Sequence, residues 1–309
     1  MQRLASVLSL LVFLVLLGCE SKEATMEEAQ AESVASVSWD APQMLGDRLF
    51  SVEGFSGPEA VRYDPAQDVY FVANFNDKPA GDANGFVSRI GADGTVEELQ
   101  YMTGTDTYPL HGARGMFIVD DLLWVADAGG IHGFNRETGE HNTFVDFSAY
   151  ELGFLNDIVQ GPDGALYVTE TGSASRVFRV EDGEVTIAIQ DEKIGAPNGI
   201  TWDAEGERFI VVAWSGTQSF QSWKHGSTEL MEFAVSEGGN FDGVEMIGSR
   251  ALVASQADSS LRLVEAGVSR KYIQLPAGPA DIGIDTKRMR VAVPYVAENR
   301  VDVWALPGE

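Results

Sequence analysis

Residues 198–212 read Asn198-Gly199-Ile200-Thr201-Trp202-Asp203-Ala204-Glu205-Gly206-Glu207-Arg208-Phe209-Ile210-Val211-Val212. A polar residue opens the stretch, a short strand follows, acids and a glycine turn it, and an apolar strand returns. The same pattern lies upstream as Pro58-Glu59-Ala60-Val61, Arg114-Gly115-Met116 and Asn156-Asp157-Ile158, and downstream as Asp242-Gly243-Val244 and Asp281-Ile282-Gly283. The opening polar residues, Glu59, Arg114, Asn156, Asn198, Asp242 and Asp281, recur every 39 to 55 residues. A period of about 40 to 50 residues with several short strands per unit is the signature of a β-propeller. The expected fold is therefore all-β, a six-bladed β-propeller with four-stranded antiparallel blades around a central channel, occupying residues 41–309.

Outer hairpins fit between the repeats. Asp93-Gly94 follows the alternating run Phe86-Val87-Ser88-Arg89-Ile90, and Asp182-Gly183 follows Arg176-Val177-Phe178-Arg179-Val180. Asp-Gly between alternating runs signals a tight hairpin turn. The last strand, about Val301 to Leu306, is expected to share a blade with a strand around Leu49 to Val52, which closes the ring and hides its edges. A β-sandwich shows no such period, and a doubly wound α/β fold needs helices that the pattern lacks.

Charge narrows the function. The 309 residues hold 21 Lys plus Arg against 47 Asp plus Glu, a net charge of −26. No nucleic acid partner is expected, because phosphate binding needs a basic stripe. At long range such a field attracts divalent cations and repels anions.

The N-terminus reads as an export signal over residues 1–18, with Arg3 before an apolar run too short to span a membrane. Leu16-Leu17-Gly18-Cys19 resembles a bacterial lipobox, which implies a lipid anchor on Cys19, the one cysteine in the chain. Residues 19–40, rich in Glu, Ala and Ser, read as a flexible acidic tether. The expected location is the cell envelope, as a lipid-anchored lipoprotein, periplasmic or outer-membrane, that meets the membrane only through that anchor. A monomer is expected.

In a propeller the first strand of every blade lines the channel, so the six opening residues converge. Glu59, Asn156, Asn198 and Asp242 supply two carboxylates and two amides, hard oxygens that suit Ca²⁺ or another divalent cation. Turn and strand-start chemistry is the bland explanation for the same residues. Zinc fits less well, since His111, His132, His141 and His225 show no close-ligand spacing.

These segments, with Gly161-Pro162-Asp163-Gly164 and Pro197-Asn198-Gly199-Ile200-Thr201-Trp202-Asp203, resemble the senescence marker protein (regucalcin) and gluconolactonase family over roughly residues 55 to 300. The resemblance implies a six-bladed propeller with a divalent metal held at the axis by a Glu, two Asn and an Asp. It further implies a lactonase or esterase in which the metal polarises a lactone carbonyl and Asp242 is both ligand and general base. The Arg that this family places two residues before its Asn is Phe154 here, which puts a sugar-lactone substrate in question. Asn156-Asp157-Ile158 is also similar to paraoxonase-type lactonases, whose catalytic histidine near the second blade would correspond to His111. Here Arg114 holds the blade phase, with His111 three residues earlier.

Several alternatives stay open. His111 is a satisfied loop residue or a catalytic one. Arg114 balances Glu59, Asp242 or Asp281, or clamps a carboxylate or phosphate on a small-molecule lactone or ester substrate. Asp281 completes the metal sphere, pairs with Arg114 or caps a turn. Ser215 to Thr228 is a lid or an outer hairpin. The chain as a whole is a calcium-dependent hydrolase, a non-enzymatic ligand- or protein-binding propeller with a structural calcium, or a metal-free scaffold.

Overall fold

The computed structural model describes residues 47–76 and 81–306. The expected export signal, tether and Cys19 lie outside these residues. Regular structure is almost entirely strand, with one 3-10 turn over Glu192–Ile194. Among the described residues no helix is long and apolar enough to cross a membrane.

Strands follow one another in antiparallel sets of four. After β1 (Arg48–Glu53), the strands β2 (Pro58–Asp64), β3 (Val69–Asn74), β4 (Phe86–Gly91) and β5 (Val96–Thr103) lie side by side in chain order. The next set is β6 (Met116–Val119), β7 (Leu122–Ala126), β8 (Gly130–Asn135) and β9 (His141–Asp146), followed by β10 (Phe154–Gln160), β11 (Leu166–Thr171), β12 (Arg176–Glu181) and β13 (Glu184–Gln190). Then come β14 (Ala196–Asp203), β15 (Arg208–Ser215), β16 (Ser219–Lys224) and β17 (Met231–Val235), and β18 (Phe241–Ile247), β19 (Arg250–Ser255), β20 (Ser260–Glu265) and β21 (Val268–Gln274). One parallel pair, Val235 with Val268, merges these two sets into an eight-stranded sheet.

The final three strands, β22 (Gly283–Asp285), β23 (Arg290–Tyr295) and β24 (Arg300–Ala305), take β1 as their fourth. Val52 pairs with Val301, and the Ser51 hydroxyl donates to Asp302 at 2.6 Å. The N- and C-terminal strands thus share a sheet, as the sequence predicts.

The core lies between neighbouring sets. On β3, Val69, Phe71 and Ala73 pack with Met116, Leu123 and Val125 of the following set, while Tyr70 and Val72 pack with Val301 and Val303 of the last one. Alternation sends successive side chains to opposite faces of a strand. Both faces are covered here, so every residue of β3 is buried and the strand reads as a continuous apolar run.

First strands of successive sets also touch, from β2 through β6, β10 and β14 to β18. Val61 N donates to Asp281 O at 3.1 Å and Asp281 N donates to Glu59 O at 2.9 Å, returning the succession to its start. Glycine permits this closeness. A Cβ on Gly199 would strike the Asp242 carbonyl and lie 2.9 Å from Val244 N; one on Gly243 would lie 2.6 Å from Ile282 N. Such small residues in a strand mark a close backbone approach.

The segment 215–228 forms no lid. Its centre is the regular strand β16, and Phe220 and Trp223 are buried in the packing between sets.

Candidate functional site

Glu59, Asn156, Asn198 and Asp242 occupy the same place in β2, β10, β14 and β18, at the start of a first strand. There the pairing with the second strand breaks register each time, between Pro58 and Ala60, Leu155 and Ile158, Pro197 and Ile200, and Phe241 and Val244. A local register break re-aims a side chain out of the pleat. All four, together with Arg114 just before β6, line one cavity of about 1100 Å³.

Their oxygens lack donors. Glu59 Oε2, Asn156 Oδ1, Asn198 Oδ1 and Asp242 Oδ1 are buried and accept no hydrogen bond. The second Asp242 oxygen accepts from Gln256 Nε2 at 3.1 Å. Leaving buried acceptors unpaired costs free energy unless some positive partner takes them. An all-oxygen set of two carboxylates and two amides fits a hard divalent cation such as Ca²⁺. Among the described residues no three His, Cys, Asp or Glu side chains are grouped for metal binding, so the set depends on its two amides.

Electrostatics agree with that chemistry. Burial first, then Asp242 and Asp157, push the Glu59 carboxyl well above its usual range, against the pull of Arg114. Burial and then Asp157 push Asp242 up to about 7, opposed by Arg114 and Gln256. Without a counter-ion these carboxyls prefer a proton; a divalent cation reverses that preference. Asp157 is likewise pushed up to about 7, mainly by burial, while Arg62 pulls it down. It faces the backbone, accepting from Ile158 N at 2.7 Å and Ile200 N at 2.8 Å.

Arg114 is 94% buried. Its Nη1 lies 3.9 Å from Glu59 Oε1, and its guanidinium carbon sits 4.5 Å from the Phe75 ring centroid and 4.7 Å from that of Phe154. Two candidates lie elsewhere. His111 is outside the cavity lining: its Nδ1 accepts from Ala83 N at 3.0 Å, and its own N donates to Asp127 Oδ2 at 3.0 Å. Asp281 is also outside the lining; its carboxylate lies against Gly243, with Oδ2 unpaired.

Other residues of the site escape a motif-based reading. Gln256 follows β19, Phe75 follows β3, and Trp214 and Tyr295 sit near the ends of β15 and β23; all line the cavity. Their common signal is position. The chain leaving each second strand returns beside the start of its first strand, as when Gln256 N donates to Asn240 O at 3.2 Å.

Residues 58–227 match the model of the SMP-30/Gluconolactonase/LRE-like region, a span that includes Glu59, Arg114, Asn156 and Asn198 and ends before Asp242. A gluconolactonase from Xanthomonas campestris is 16% identical with a TM-score of 0.67, covering 88% of this chain and 97% of its own. A virginiamycin B lyase from Staphylococcus aureus is 14% identical with a TM-score of 0.58, covering 83% of this chain and 99% of its own. A streptogramin B lyase is 14% identical with a TM-score of 0.60, covering 83% and 97%. No curated protein matches the chain. At these identities the shared feature is the fold, which hydrolases and lyases use alike.

Proposed function

The chain belongs to the SMP-30/gluconolactonase/LRE-like family, and from that premise we propose that it is a calcium-dependent lactonase or esterase built on a six-bladed propeller. The blades are the four-stranded sets, with the first strands around the axis. One observation carries the reading: four buried, donorless oxygens from four separate first strands line a single cavity.

Glu59, Asn156, Asn198 and Asp242 would hold the metal. A bound divalent cation supplies Lewis-acid polarisation of an ester or lactone carbonyl. Asp242, held in place by the Gln256 amide on its Oδ2, takes the proton of the attacking water. A carboxylate so held is a general base whose orientation is settled before substrate arrives. Phe75, Phe154, Trp214 and Tyr295 add aromatic surface to the cavity lining. His111, with Nδ1 already engaged by Ala83, is left out of the proton path.

The test is hydrolysis of a panel of lactones and aryl esters by the protein, with calcium and with chelator. Calcium-dependent turnover is expected. Calcium-dependent stability with no turnover across the panel would instead support a binding propeller with a structural metal. We further propose a lipid-anchored monomer in the cell envelope, tested by fatty-acid labelling of the wild type against Cys19→Ala.

A further inference from the structure

The Arg114 guanidinium lies over two aromatic rings and donates no hydrogen bond to the described residues. Its carbon is 4.5 Å from the Phe75 ring centroid and 4.7 Å from that of Phe154. Its Nε is buried without an acceptor, and the Glu59 oxygen 3.9 Å from Nη1 lies beyond hydrogen-bond reach. Two other arginines of this chain close on a carboxylate. Arg136 Nη1 donates to both oxygens of Asp64 at 2.8 Å, and Arg179 donates to Asp163 Oδ2 through Nε at 2.8 Å and Nη2 at 2.6 Å. Arg114, although buried, makes no such closed pair with Glu59. Aromatic rings can hold a guanidinium by cation–π attraction while its N–H groups stay unused.

We propose that these N–H groups form a carboxylate-binding subsite, and that the substrate is an ester or lactone carrying a carboxylate on an aromatic or apolar body. The inference deepens the hydrolase reading and rests on it for the word substrate. A planar donor fork matches a carboxylate in two parallel hydrogen bonds. Phe75, Phe154, Trp214 and Tyr295 supply surface for the apolar body, in a cavity of about 1100 Å³. A single arginine beside Glu59 and Asp242, in a chain of net charge −26, selects a monoanion over a phosphate dianion.

Calorimetry of the full-length protein with phenylacetate and with its neutral isostere phenylacetamide, in calcium and in chelator, tests the subsite directly. With calcium, the acid is expected to bind at least about ten-fold more tightly than the amide, the loss that goes with one charge-assisted hydrogen bond. Arg114→Met should erase that preference. Should that variant fail to fold, Phe154→Ala, which removes one of the two rings beside the guanidinium at an exposed position, should weaken the preference instead. Equal binding of acid and amide to the wild type, or binding of neither, overturns the proposal. So does an Arg114→Met loss of turnover that is equal for a neutral aryl ester and its carboxylate-bearing homologue, since the arginine would then serve the reaction's oxyanion. An acid preference in a protein that hydrolyses no ester or lactone would leave the subsite standing and remove the hydrolase.

Discussion

Gln256 donates to one carboxylate oxygen of Asp242 at 3.1 Å and leaves the other with no partner. An amide from the end of one strand thereby orients an acid at the start of its neighbour. The free oxygen, Oδ1, belongs to the set that lines the cavity. This asymmetry fixes the orientation of the carboxylate and leaves one buried oxygen in need of a positive partner.

Asp242→Asn keeps the shape and removes the charge. Hydrolysis should fall by about 10²–10⁴-fold, the usual contribution of a general base. The chelated protein at pH 8 should nevertheless melt higher than wild type, because a buried charge near Glu59 is gone. Turnover within a factor of a few of wild type would remove Asp242 from the mechanism.

Without metal, stability should decline as pH rises. Asp242 has a folded-state pKa raised from 3.8 to about 7, and Glu59 is raised in the same direction. A raised carboxyl contributes stability that is complete below its unfolded pKa and is lost as pH climbs through the folded value. The melting temperature in chelator should therefore drop between about pH 4 and 7 from Asp242, with Glu59 adding to the loss in the same direction. On the proposed ligand set, which holds a cation only when deprotonated, calcium should stabilise more at pH 8 than at pH 5. A calcium shift that is flat across that range would count against these ligands.

Asp127 anchors the loop that delivers Arg114. Its oxygens accept from His111 N at 3.0 Å and Gly112 N at 2.7 Å, and His132 Nε2 approaches to 3.4 Å. Asp127→Ala should cost about 3 kcal/mol, since buried donors lose their acceptor. Burial raises its pKa, but bonds from His132 and the backbone N–H groups outweigh this and leave it lowered. The wild-type contribution is thus present above pH 3.8 and lost as pH falls through the lower folded value. Urea unfolding of both proteins at pH 7 and pH 3 should show the difference shrinking in acid.

Gly199→Ala tests the contact between first strands. The added Cβ meets the Asp242 carbonyl and Val244 N, and overpacking of this kind costs about 1–3 kcal/mol. Gly129→Ala, whose Cβ would meet nothing within 4 Å, should stay within about 0.5 kcal/mol of wild type. Equal thermal midpoints for the two variants would contradict the close approach.

Convergence of Glu59, Asn156, Asn198 and Asp242 was legible because a repeat places equivalent residues at equivalent sites. The register break at each of them was not, since the strand runs around Asn156 and Asn198 look continuous in sequence. Gln256, Phe75, Trp214 and Tyr295 carry no motif; only the return of each hairpin brings them to the cavity. His111 was singled out by residue type, yet Asp127 and Ala83 hold it outside the lining. The lid expected as one reading of residues 215–228 failed because Phe220 and Trp223 gain more by burial between sheets than above a cavity.

The sequence by itself determined the all-β class, the four-stranded set and the oxygen-rich character of the cavity, because strand alternation, turn residues and repeat phase are local properties of the chain. Tertiary structure decided which oxygens stay unpaired, where Arg114 points and which ring covers it. Those outcomes depend on contacts between strands far apart in sequence: a side chain's partner is set by distance and desolvation, and neither exists until the first strand lies against the last.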